Sequence, residues 1–215
     1  MNNNLTDITL VIDRSGSMQS MKKDAEGGIA NFIEEQRKAP GEARLTLVQF
    51  DDVVETVYTA GDIRYTPAWE LKPRGSTALL DALGKTITDT GKRLAAIPEA
   101  ERPDLVTFVI VTDGGENASK EFKRDKINAM IREQQDTYKW QFVFLAANQD
   151  AFAEAGSLGI NLGKVSNYGS QNSKQAYDNA SKMVSQLRAT ASVGGDVTMA
   201  AFSAEDRKEM ETPTH

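Results

Sequence analysis

Residues 105–111 read Leu-Val-Thr-Phe-Val-Ile-Val. Nothing in the run is charged, and apolar residues do not alternate with polar ones. A strand of this kind needs cover on both faces, the condition of a central strand in a parallel sheet. The run stops abruptly in Thr112-Asp113-Gly114-Gly115. A second run, residues 8–12, has the same character: Ile-Thr-Leu-Val-Ile, followed by Asp13-Arg14-Ser15-Gly16-Ser17. Two buried strands, each ending in an oxygen-rich turn, restrict the chain to a small set of folds.

The segments between them fill in the pattern. Residues 20–38 carry Met21, Ala25, Ile29, Phe32 and Ile33 at helical spacing, and Pro40-Gly41 follows. Gly27 and Gly28 lie inside that helix and each costs roughly 1 kcal/mol relative to Ala. Close approach of the helix to the sheet and a local distortion are both open as the reason. Residues 43–50 and 53–58 read as strands joined at Asp51-Asp52, a hairpin. Residues 60–76 are irregular. Helices are expected at 77–97, 121–137, 150–157, 173–190 and 204–211, with further strands at 140–147 and 160–165. Strands alternating with helices imply an α/β fold. The expected form is a doubly wound, Rossmann-like sheet, mostly parallel with one antiparallel edge strand, and with helices on both faces.

Composition removes several function classes. The 215 residues include no cysteine, which excludes disulfides, zinc–thiolate sites and thiol nucleophiles. The only histidine is His215, so a Ser-His-Asp triad and a His-ligated zinc site have no histidine to use. Net charge is −6, and no dense Lys/Arg cluster suggests nucleic-acid binding. No apolar run approaches the ~20 residues that cross a bilayer. The start, Met1-Asn2-Asn3-Asn4, lacks the basic and apolar regions of an export signal, so the expected location is cytoplasmic.

In a doubly wound sheet, ligands bind beyond the carboxyl ends of the strands. Three polar turns can meet there: Asp13 to Ser17, Gly75-Ser76-Thr77, and Thr112 to Gly115. Asp13, Ser15 and Ser17 place oxygen at alternate positions, which suits a small hard cation. Asp and Ser also serve as turn and N-cap residues, and that first motif alone does not decide between the two readings.

Together, Asp13-x-Ser15-x-Ser17, Thr77 within Gly-Ser-Thr-Ala-Leu, and Asp113 within Thr-Asp-Gly resemble the metal-ion-dependent adhesion site of von Willebrand factor A-type (vWA) domains. The resemblance covers residues 5–190. It implies a vWA domain over residues 1–192 and a C-terminal extension, partly apolar and then acidic, over 193–215. It implies that Asp13, Ser15, Ser17, Thr77 and Asp113 hold Mg²⁺, with Mn²⁺ or Ca²⁺ as alternatives. It further implies a protein-interaction domain, not an enzyme, whose protein partner presents an Asp or Glu carboxylate to the metal. Self-association through Glu205, Asp206, Glu209 or Glu211 of the acidic end is a second source of that carboxylate.

The competing function is Mg²⁺-dependent phosphoryl transfer on a similar sheet. Enzymes of the haloacid-dehalogenase type carry a second Asp two residues after the first, where this chain has Ser15. No glycine-rich nucleotide signature is present. A plain structural domain is the third reading. Among neighbouring residues, Arg14 reads as solvated or paired with an acid, and Asp51-Asp52 as a turn only. Thr112 reads as a strand end, and Trp69 and Tyr65 as core packing. Glu116 and Asn117 are not expected to be ligands. Asn148 and Asp150 should lie beside the site, Asp150 as an N-cap.

Overall fold

The structure is a computed structural model and describes residues 4–147 and 150–211. Six strands form one sheet: β1 (Leu5–Asp13), β2 (Glu42–Phe50), β3 (Val54–Asp62), β4 (Leu105–Thr112), β5 (Gln141–Ala147) and β6 (Val165–Tyr168). Their order is β3-β2-β1-β4-β5-β6. Among the described residues, only β3 runs antiparallel to its neighbour. The helices are α1 (Lys22–Lys38), α2 (Leu79–Ala95), α3 (Arg124–Tyr138), α4 (Ala151–Ser157), α5 (Ser173–Ser192) and α6 (Ala204–Glu211). The expected sheet, including its single antiparallel edge strand, is the one observed.

Alternation along β1 explains the two layers. Ile8, Leu10 and Ile12 face α1 and α5 in one apolar cluster, with Phe32, Val184 and Leu187. Val11 faces the other way, into a cluster with Leu83 and Ile87 of α2 and Ile127 and Ile131 of α3. β4 is buried along its whole length, as the unbroken run at 105–111 requires. Strand order reverses between β1 and β4, which pair with Ile12 opposite Val111. The carboxyl ends of these two strands therefore stand side by side, and the crossovers leave a crevice above them.

Several local expectations shift. The first helix does not start at residue 20: a 3₁₀ segment, Gly16–Met21, precedes α1. β3 runs to Asp62, past residue 58. The last strand is not 160–165 but Val165–Tyr168. Gly159 takes a left-handed φ of +79°, and the Asn161 side chain caps a 3₁₀ turn at Leu162–Lys164, which keeps those residues out of the sheet. Ile160 is still buried, so its apolar character reflects packing rather than pairing.

Beyond α5 the chain folds back along the outer edge of β6. Phe202 and Met210 enter the core, whereas Met199 stays exposed. Phe202 N–H donates to Gly163 O (2.8 Å), and Gly169 N–H to Met210 O (3.0 Å). Asp206 and Ser203 cap α6 reciprocally. Among the described residues, no helix is long and apolar enough to cross a membrane.

The glycine pair in α1 is explained by α5 rather than by the sheet. A Cβ on Gly28 would lie 2.2 Å from Cδ2 of Tyr177, whose ring is buried, whereas a Cβ on Gly27 meets nothing within 4 Å. Opposite signs are therefore expected from neighbouring substitutions in urea unfolding. Gly28→Ala should destabilise by about 1–3 kcal/mol through overpacking, and Gly27→Ala should stabilise by up to about 1 kcal/mol through helix propensity.

Candidate metal centre

Asp13 ends β1, and its carboxylate is fully buried. One oxygen, Oδ1, accepts the Ser15 N–H (2.7 Å), which turns the chain sharply out of the strand. The other, Oδ2, accepts the Thr112 hydroxyl at the end of β4 (2.6 Å). Ser15 is the N-cap of the following 3₁₀ segment, yet its hydroxyl makes no capping bond. It lies instead 3.0 Å from Ser17 Oγ and 3.5 Å from Asp113 Oδ1. Ser17 Oγ donates to the same Asp113 oxygen at 2.7 Å. The capping reading thus fails for Ser15, while Asp13 does act on its turn.

Thr77 reaches the cluster from the start of α2. A Cβ on Gly114 would lie 3.4 Å from Thr77 Oγ1 and 3.8 Å from Ser17 Oγ. Gly114 thus lies beside both hydroxyls, within reach of ordinary van der Waals contact. Gly75, with φ +64°, turns the 75–77 loop so that its carbonyl accepts Gly16 N–H (3.1 Å). Asp13, Ser15, Ser17 and Asp113 are therefore joined in one hydrogen-bonded group above the β1–β4 crevice, with Thr77 on the Gly114 side of it.

The electrostatics follow from burial. Desolvation pushes the Asp13 carboxyl up to about 6, against the opposing pull of the Thr112 and Ser15 hydrogen bonds. Desolvation also raises Asp113 above its ordinary value. Among the described residues, neither carboxylate forms an ion pair. The nearby guanidinium of Arg14 is turned away: its Nε donates to Asp51 (3.0 Å), and it also pairs with Glu55. Two desolvated carboxylates with three hydroxyls, and no nitrogen or sulfur donor, make a donor set suited to a small, hard divalent cation.

No protein-family model matches the sequence, and no curated protein matches it. Solved structures do match the fold. The von Willebrand factor type A structure from Catenulispora acidiphila superposes with a TM-score of 0.57 at 13% identity, over 87% of this chain and 42% of that one. The chain has the vWA fold. The vWF domain of the type V pili tip protein Mfa5 from Porphyromonas gingivalis gives 0.56 at 15% identity, over 83% of this chain and 94% of that one. Proximal thread matrix protein 1 of the mussel byssus, in a structure with a zinc-occupied MIDAS motif, gives 0.57 at 18% identity, over 87% and 46%. The chain thus spans less than half of the mussel and Catenulispora chains.

Around this vWA crevice, several residues do more than the sequence suggested. Thr112 does not merely finish its strand, since its hydroxyl fixes Asp13. Asn117 Oδ1 accepts Thr77 N–H (2.9 Å), and Glu116 accepts Leu80 N–H (2.9 Å). Both satisfy N–H groups at the start of α2 that have no partner within the helix. A carboxylate and an amide just after Gly114-Gly115 were the available signal. Trp69 packs on the core, but Tyr65 is exposed. Asp150 caps α4 as expected, through Ala153 N–H (3.0 Å). Asn148 lies outside the described residues.

The raised carboxyl of Asp13 sets a pH dependence. A group whose folded pKa lies above its unfolded value contributes stability fully below the unfolded value, near 4. That contribution is lost as pH rises through about 6. In EDTA, the stability of the wild type relative to Asp13→Asn should therefore fall between pH 4 and 6.5, by about 3 kcal/mol at most. Urea midpoints of both chains across that range check it; parallel curves would refute it.

Proposed function

We propose that this chain is a metal-dependent protein-interaction domain. In this reading Asp13, Ser15, Ser17, Thr77 and Asp113 hold a divalent cation, Mg²⁺ by the hardness of the donors. A carboxylate of a protein partner completes its coordination. What supports the reading is that Asp13, Ser15, Ser17 and Asp113 form one hydrogen-bonded group with Thr77 nearby, and that among the described residues neither buried carboxylate has an ion pair. The zinc-occupied motif of the mussel protein supports a cation at the corresponding edge of the fold.

The chemistry of the donors explains why a partner anion would bind. Two carboxylates only balance the charge of a divalent ion, and hydroxyls are weak donors. An incoming carboxylate gains charge–charge attraction in a partly dry crevice, where screening is weaker than in water. Ser17 lies at the exposed side of the cluster, so the opening is there. Within the acidic C-terminal segment, Asp206 is engaged by Ser203 and Glu209 by Gln175. Those engagements weigh against Asp206 and Glu209, while the exposed Glu205 and Glu211 stay as the chain's own alternative to a separate protein.

Binding is favoured over phosphoryl transfer because Ser15, with its hydroxyl turned to Ser17 and Asp113, stands where enzymes of the haloacid-dehalogenase type carry their second Asp.

Titration calorimetry with Mn²⁺ tests the proposal. The wild type should bind one ion and Asp13→Ala none, and a Glu-containing partner should bind the wild type in Mg²⁺ but not in EDTA. Equal Mn²⁺ affinity in both chains would sink it. Turnover of a generic phosphomonoester that disappears in Asp13→Asn would favour the enzyme instead.

A further inference from the structure

We propose that Asp51 is a positioning residue for this site, holding the loops of Ser15 and Thr77 in register and cancelling the buried charge of Arg14 beside them. The inference rests on the reading of the five-residue cluster as a divalent-cation site.

Asp51 follows β2, at the turn into β3, and is 1% exposed. A hairpin turn needs only one of its contacts, the Val53 N–H donated to Oδ1 (2.7 Å). The others reach the site loops. Oδ2 accepts Arg14 Nε (3.0 Å) and Arg74 Nε (2.6 Å). Its backbone carbonyl accepts Ala78 N–H (2.9 Å). Arg14 sits between Asp13 and Ser15, while Arg74 and Ala78 bracket the segment Gly75-Ser76-Thr77. One carboxylate and its own carbonyl therefore grip both loops at points next to the proposed ligands. The loops also grip each other, through Arg74 N–H to Arg14 O (2.8 Å) and Gly16 N–H to Gly75 O (3.1 Å).

The second part is charge. Arg14 is as buried as the site itself, and an uncancelled guanidinium there would repel a divalent ion. Asp51 and Glu55 together offset Arg14 and Arg74, so the group is neutral. Asp51→Asn keeps the size of the side chain and an acceptor for Val53. It removes the charge that both arginines share.

The test is Mn²⁺ titration of the full chain and three variants. Asp51→Asn should weaken binding by about tenfold or more. Arg74→Lys, on a side chain 63% exposed, keeps the charge but loses the Nε hydrogen bond, and should fold normally and weaken binding about threefold. Asp7→Asn is the control: Asp7 is equally buried and paired with Arg93 (2.8 and 2.9 Å), but lies at the opposite end of β1, about 20 Å away. It should lose stability without changing Mn²⁺ affinity. If the wild type binds and Asp51→Asn stays within about twofold of it, the positioning role is overturned. Unchanged Arg74→Lys binding does the same should Asp51→Asn fail to fold. Equal weakening in Asp7→Asn also overturns the role, by showing general destabilisation. A wild type that binds no Mn²⁺ removes the reading of the site and this proposal together.

Discussion

The centre of this molecule is a carboxylate with nowhere to put its charge. Asp13 is carried into the interior by a strand whose every residue is buried. The nearest guanidinium is committed elsewhere. Hydrogen bonds from Ser15 and Thr112 soften the cost of burial without cancelling it, which is why the pKa stays raised. Asp113, from the loop after the neighbouring strand, adds a second charge to the same place. A protein keeps such an arrangement at a cost to its own stability, which is the usual signature of a site shaped for a ligand.

The surrounding loops are arranged so that this cost is borne locally. α2 begins at the crevice without a side-chain cap from its own N-cap residue, Ala78. Its first N–H groups are met instead by Asp51 O, Glu116 and the Ser119 hydroxyl. Each of those acceptors belongs to a loop that also borders the site. The start of the helix, the hairpin turn and the loop after β4 therefore hold one another, and displacing any of them leaves buried polar groups without partners. Rigid placement of Thr77 follows from this economy, because its own N–H and carbonyl are both used, by Asn117 and by Asn117 and Ala118.

The sheet was legible, and so were the turns that bring Asp13, Ser15, Ser17 and Asp113 together, because each depends on a short-range pattern. An unbroken aliphatic run marks β4 wherever it lies in the chain, and Asp-x-Ser-x-Ser keeps its spacing through one turn. What sequence did not show was pairing across long separations. Asp51 looks like any turn residue until Arg14, 37 residues earlier, and Arg74, 23 residues later, arrive beside it. Gly28 looks like a weak point in a helix until Tyr177 packs on it. Ile160 has the composition of a strand residue, but a left-handed Gly159 and a capped turn decide that the sheet resumes only at Val165. In each case the deciding contact is tertiary, and no local window contains both partners.

The two margins of the sheet are finished differently. On one side, α6 lies along β6, and the Arg207 guanidinium takes up carbonyl oxygens of Leu162, Gly163 and Val165. On the other, β3 pairs irregularly with β2 and carries a positive φ at Ala60, which bends its free side. Neither margin offers a straight row of open backbone groups to a passing strand. Copies of this chain crowded together would therefore resist zipping into a shared sheet, and any ordered array they enter must be stitched through loops and side chains.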